Sequence, residues 1–184
     1  MDIEWDVKGF FSPGPEIPSR EKHKCWIYAF SSIDDENIVI NYWKIGKWLL
    51  FFDNVHRSNI TGLTEHDYNW QFIKKLAEND ILLQCKCSTA LKGICEAYDK
   101  SRNGIICCYT LDYTNKQDVK RAAEAIRKTV HCPFDLFYKT NIDTKAGKYR
   151  YKGDRYVCIY KHTVENKMYE RDLIFKNQWN LVKV

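Results

Sequence analysis

The chain lacks any apolar stretch of 18 residues or more, which argues against a membrane-spanning helix. Its opening, MDIEWDVKGF, carries acids where a secretory leader needs an apolar run, so no signal peptide is expected. No C-x-x-C pair occurs, nor H-E-x-x-H, G-x-S-x-G or a phosphate-cradling glycine loop. Those absences remove the usual zinc, metalloprotease, hydrolase and P-loop signatures. The expected location is the cytoplasm, with the nucleus reached by diffusion.

Cysteine, by contrast, is plentiful. Of the eight, Cys85 and Cys87 form C-x-C, Cys107 and Cys108 are adjacent, and Cys25, Cys95, Cys132 and Cys158 are scattered. That is poor ligand spacing, and without a secretory signal the thiols read as reduced, small, buried groups. Neither metal nor cofactor is expected. Cys107 and Cys108 fall in an apolar run, where burial raises a thiol pKa and makes it inert.

A length of 184 residues predicts one domain, here expected to be monomeric. The net charge of +5 permits anionic partners without demanding them.

Along the chain, Phe10, Phe11, Pro13, Pro15 and Pro18 predict an irregular arm over 1–24, each proline denying a ladder donor, with aromatics able to dock on the body. Residues 25–184 form the expected domain. CWIYAF (25–30) reads as a strand, SSIDDEN (31–37) as a polar turn, and IVINYW (38–43) as a strand or the approach to one. GKWLLFF (46–52) is a strand by its run of strand formers. Thr64 through Asp67 resembles a capping sequence, and Trp70, Ile73, Leu76 and Ala77 repeat at helical spacing, predicting a helix over 65–78. In ILLQCKCST (81–89), alternation puts Cys85 and Cys87 on one face and Gln84, Lys86 and Ser88 on the other.

Residues 90–104 read as a turn-rich connection ended by the turn dipeptide Asn103-Gly104. IICCYT (105–110) reads as a central strand. Thr114 to Gln117 matches a capping box, and the stripe Val119, Ala122, Ala123, Ile126, Val130 predicts a helix over 115–130. Its other face carries Lys116, Lys120, Arg121, Arg127 and Lys128 and reads as solvated. FDLFYK (134–139) and YVCIYKH (156–162) read as strands, residues 140–155 as an exposed loop or hairpin, and DLIF and WNLV in the tail as edge strands. The sum is an α+β fold: a curved antiparallel sheet backed by helices on one face.

Three blocks, Gly46-Lys47-Trp48-Leu49, Tyr109-Thr110-x-Asp112 and Tyr138-Lys139, resemble the basophilic-leukaemia-expressed protein family, an uncharacterised group. The likeness runs from about Cys25 to His162. That family is similar in fold to the messenger-RNA cap-binding translation initiation factor of type 4E, which stacks a base between two tryptophans and holds phosphates with Arg and Lys. The resemblance implies candidate ligand-binding residues Trp43, Lys47, Lys86 and Lys145, with Trp43 as one stacking face and the lysines on phosphates; Lys139 joins them because its segment falls near the same concave face of the implied fold. Lys44 stands where the relative has an acid, and SSIDDEN offers no second aromatic. Losing half of a sandwich worth about 1–3 kcal/mol per stacked base argues against tight cap recognition.

The expected function is therefore weak, phosphate-led binding of a nucleotide or RNA. One alternative is metal-independent phosphodiester cleavage using a His, a Tyr and a Lys as base, stabiliser and acid, types that Tyr138, Lys139, Tyr160 and His162 supply. Another is a protein–protein interaction module, with the arm and tail as partner elements.

Overall fold

The computed structural model describes residues 16–32, 40–95 and 102–184. The proline-rich start of the expected arm, with Phe10 and Phe11, and most of the SSIDDEN turn lie outside the described residues.

The elements follow the alternation and stripes of the sequence. Strand β1 spans Trp26–Phe30 and β2 spans Gly46–Asp53. Helix α1 (Glu65–Glu78) starts at the expected capping box: the Thr64 hydroxyl accepts from the Asp67 amide, and the Asp67 carboxylate accepts from the Thr64 amide. Strand β3 is Gln84–Ser88, short helix α2 is Ala90–Cys95 and β4 is Asn103–Thr110. Helix α3 (Lys116–Thr129) is followed by β5 (Leu136–Thr140), α4 (Asn141–Lys145), β6 (Tyr160–His162), β7 (Met168–Arg171) and β8 (Trp179–Leu181). The eight strands form one antiparallel sheet in the order β1-β3-β4-β2-β5-β6-β7-β8, which puts β2 and β5 at its centre and β4 beside β2.

Pleating sorts the strand residues between two faces. Trp48, Leu50 and Phe52 of β2 point to the core, where they meet Trp70, Ile73 and Ala77 of α1 and Val119, Ala122 and Ile126 of α3. The Trp48 indole donates to the Val119 carbonyl at 2.9 Å, and its ring meets Tyr138 edge-on at 5.1 Å. Truncating a fully buried tryptophan of this kind costs about 3–5 kcal/mol. Cys85, Cys87 and Cys108 fill the same core as small apolar groups. Gly46 is the one residue that fits where it lies, because a Cβ there would strike the Tyr138 ring.

Several expectations fail locally, each for a physical reason. Asn103-Gly104 is not a turn: both residues are paired in β4, and Gly104 is small because the His66 ring packs against it. Residues 140–155 are not an open hairpin. Thr140 caps α4 by accepting from the Asp143 amide at 3.1 Å, and a 3-10 turn follows at Arg150–Lys152. The cap of α3 is Asn115, which accepts from the Asp118 amide at 3.2 Å, while the Thr114 hydroxyl turns back to Asp112. The DLIF stretch is a loop between β7 and β8 rather than an edge strand, and Leu173 and Ile174 stand 89% and 82% exposed. The predicted strand over 156–162 is shortened to three residues.

Arg127 departs from the solvated reading of its helix face. Its guanidinium donates to His162 Nδ1 at 2.9 Å and to the carbonyls of Cys132, Phe134 and His162, stitching α3 to β5 and β6. The described end of the expected arm is fastened too: Ser19 donates from its amide and hydroxyl to the Asp67 carboxylate at 2.8 and 2.6 Å. Among the described residues, no helix is long and apolar enough to cross a membrane.

Candidate anion-binding groove

The sheet face opposite the helices is set by the other half of the alternation. It presents Lys86 and Ser88 of β3, Ile105, Cys107 and Tyr109 of β4, Lys47, Leu49 and Phe51 of β2, and Phe137 and Lys139 of β5. A groove of about 670 Å3 lies over this face, walled by Trp26 and Lys92 on one side and by Tyr149, Arg150 and Tyr151 on the other. Among the described residues, six cationic side chains line it: Lys47, Lys86, Lys92, Arg102, Lys139 and Arg150. Among its described lining residues there is no Asp or Glu.

Aromatic rings stand where carboxylates would be expected. The Lys86 ammonium lies 4.1 Å from the Trp26 ring centre and 5.9 Å from that of Tyr109. Lys92 lies 4.7 Å from Trp26, and Lys47 lies 5.2 Å from Tyr109. Lys139 sits 3.7 Å from Tyr149, and the Arg150 guanidinium 5.7 Å from Phe137. Each such contact is worth about 0.5–2 kcal/mol, less than a phosphate held by a charge-assisted hydrogen bond.

Lys47 is the most constrained of the six. Only 6% exposed, it donates to Asn141 Oδ1 and Thr144 Oγ1, each at 3.0 Å, both neutral acceptors. Burial is the main cause that brings its ammonium down from the usual 10.5 to about 8, opposed by Cys107 and assisted to a lesser degree by the charges of Lys86 and Lys139. Burial likewise lowers the pKa of Lys86 and of Lys139, whose ammonium donates to the Lys148 carbonyl. Cys107 lies on the floor among these lysines, yet its own burial outweighs them and keeps the thiol protonated.

Three of the five expected site residues, Lys47, Lys86 and Lys139, thus share one groove. Trp43 and Lys145 do not line it. Trp43, 56% exposed, sits in a 3-10 turn beside Tyr42, and the Lys145 ammonium lies 5.0 Å from its ring and 4.8 Å from that of Tyr42. On α4, Thr144 turns to the groove and Lys145 to this aromatic pair. Lys44, which stands in place of an acid, pairs with Asp112 at 3.0 Å. Trp26, Lys92, Arg102 and Arg150 belong to the groove but were not foreseen. The signal for Trp26 was available: it is two residues before Tyr28, the cross-strand partner of Lys86.

The cleavage constellation does not assemble. Tyr138 and Tyr160 are buried in the core, with ring centres 5.6 Å apart, while Lys139 faces the groove on the other side of the sheet. His162 is also buried, and burial with the Arg127 charge lowers its pKa to about 4, so it is neutral near pH 7. No group of three or more His, Cys, Asp or Glu among the described residues is placed to hold a metal ion.

An antiparallel sheet with helices on one face and, on the other, a groove with cations and no Asp or Glu among its described lining residues defines an α+β domain. A family model, basophilic leukemia-expressed protein Bles03, matches residues 41–147, and the chain belongs to that family. No curated protein matches it. Among solved structures it is similar to the complex of C. elegans eIF4E-3 with the 4E-binding protein Mextli and cap analog, at 15% identity and a TM-score of 0.45. The aligned part covers 66% of this chain and 65% of that one, so the chain spans just under two thirds of its neighbour's length. At that score the likeness adds nothing to the topology already described.

Proposed function

We propose that the protein binds the phosphates of a nucleotide or single-stranded RNA in the groove over β3, β4, β2 and β5. The observation that carries this reading is the lining: six cations and no carboxylate among its described residues. Lys86, which lies over the Trp26 ring, loses little by moving to a phosphate, and electrostatic attraction supplies most of the affinity for an unspecific single strand. With Trp43 outside the groove and Lys44 tied to Asp112, the two features that would select a methylated guanine are missing. An interaction module, the other non-enzymatic reading, draws on the exposed Leu173 and Ile174 and predicts no anion affinity at the groove.

Equilibrium titration at low salt tests the proposal. A short single-stranded RNA is expected to bind, methylated and plain guanosine triphosphates to bind alike, and Lys47→Ala with Lys86→Ala to weaken all of them together. Parent-like binding by the double variant would place the ligand elsewhere.

A further inference from the structure

Strand register sorts the groove floor into successive rows. Lys47 and Lys139 stand side by side in the first, on β2 and β5. The second holds Cys107, Leu49 and Phe137, with Lys86 at its β3 end. The third pairs Phe51 of β2 with Ile105 of β4. Along β2 the lining therefore changes from an ammonium at Lys47 to apolar side chains at Leu49 and Phe51, and Val55, 52% exposed, continues it past the strand end. Phe51 is 46% exposed although it lies in the middle of the chain's central strands. The reason is local: pairing of β5 with β2 ends at Leu49 and Phe137, which leaves Phe51 on the shoulder of the face.

From this change of lining we infer that a base of the bound strand rests on Phe51, Leu49 and Ile105 while Lys47 and Lys139 hold a phosphate beside it, so that the strand lies along β2 rather than across the sheet. This rests on the groove reading and deepens it, because a bare polyphosphate has nothing to set on the apolar rows. Lysines fix only where the ligand's charge sits. An aromatic ring left half in water gains from a flat apolar cover, and stacking accepts any base because every base has a π-face. The two terms are separated in space. Lys47 and Phe51 are four residues apart on an extended strand, about 13 Å along β2. One small anion does not serve both places, whereas a chain that carries phosphates and bases in turn does. The Arg150 guanidinium, 5.7 Å from the Phe137 ring, stands at the β5 end of the second row and directs the base to the β2 and β4 side. Cys107 gives that side a neutral floor, its thiol kept protonated by burial.

Two probes separate the terms: an oligouridylate and inorganic tripolyphosphate, titrated at low salt against the full chain and its Phe51→Ala and Phe51→Tyr variants. The alanine variant is expected to lose about tenfold in oligouridylate affinity, the weight of a single stacked base, while its tripolyphosphate affinity stays within about twofold. The tyrosine variant, which keeps an aromatic face and guards against a folding defect, is expected to recover most of the loss. Equal losses for both probes would show that Phe51 only supports the lysines, and unchanged oligouridylate binding by the alanine variant would show that no base rests there; either overturns the inference while leaving the groove reading intact. Failure of both probes to bind the unaltered protein would remove the groove reading, and this inference with it.

Discussion

Lys47 and Lys139 sit directly opposite each other on β2 and β5, two buried ammonium groups facing one sheet surface with no acid among the described residues that line it. Like charges in that position are destabilising, and desolvation adds to the cost. A fold that keeps them carries a local instability at the place where an anion would relieve it.

Replacing Lys47 with methionine, similar in length and uncharged, tests that cost. Removing the buried charge relieves about 3 kcal/mol, the lysine shift from 10.5 to about 8 expressed as energy. Losing the hydrogen bonds to Asn141 and Thr144 gives back about 1–2 kcal/mol of it. Lys47→Met is therefore expected to raise stability by about 1 kcal/mol in denaturant titration at low salt. A loss of stability would mean the ammonium is held by more than its two neutral acceptors.

The same shift fixes a pH dependence. Folding lowers the Lys47 pKa, so between pH 8 and 10.5 the folded protein has released a proton that the unfolded chain still holds. The unfolded state then binds more protons, and stability rises with pH across that window; below pH 8 both states are charged and the penalty is constant. Relative to Lys47→Met, the parent should gain about 2 kcal/mol from about pH 7 to about pH 9.5. Parallel pH profiles for the two proteins would show that Lys47 has an ordinary pKa.

Much of this was legible in the sequence because its causes are local. Thr64 and Asp67 announce the start of α1 through a cap that needs only four residues, and alternation puts Lys86 on the face opposite Cys85 and Cys87, while the fold implied by the family resemblance brought Lys47, Lys86 and Lys139 to one face. The failures have causes distant in the chain. Asn103-Gly104 looks like a turn until His66, 38 residues before the glycine, is seen to need the space. Trp26 and Lys92 meet only because β1 pairs with β3 and α2 follows it. Trp43 was placed at the site by the family resemblance, but the 3-10 turn at Tyr42–Lys44 leaves it outside the lining of the groove. One miss was avoidable: Thr140 with Asp143 is the same capping pattern as Thr64 with Asp67 and announced α4.

The Gly46-Lys47-Trp48 block divides its work among three directions: room for Tyr138, a charge for the groove and an indole for the core. Gly46→Ala should cost about 1–3 kcal/mol through overpacking against the Tyr138 ring, whose hydroxyl is held by Thr110 at 2.6 Å. Thermal unfolding checks it, and a neutral result would show that the ring can shift.

Trp43→Ala should leave oligonucleotide affinity within about twofold, since the side chain lies outside the groove. A loss of the size of a full stacking contact, about tenfold, would bring Trp43 back into the site.

The central claim, that buried lysines on the open sheet face hold phosphates, is tested most directly by the salt dependence of oligouridylate binding. Engagement of Lys47, Lys86 and Lys139 predicts that log affinity falls against log salt with a slope of about −2, from about −0.7 per neutralised phosphate on a single strand. In the Lys47→Ala, Lys86→Ala, Lys139→Ala variant the slope should move close to zero and the affinity should drop to match. An unchanged slope in that variant, or a parent protein with no salt-dependent binding, would contradict the account.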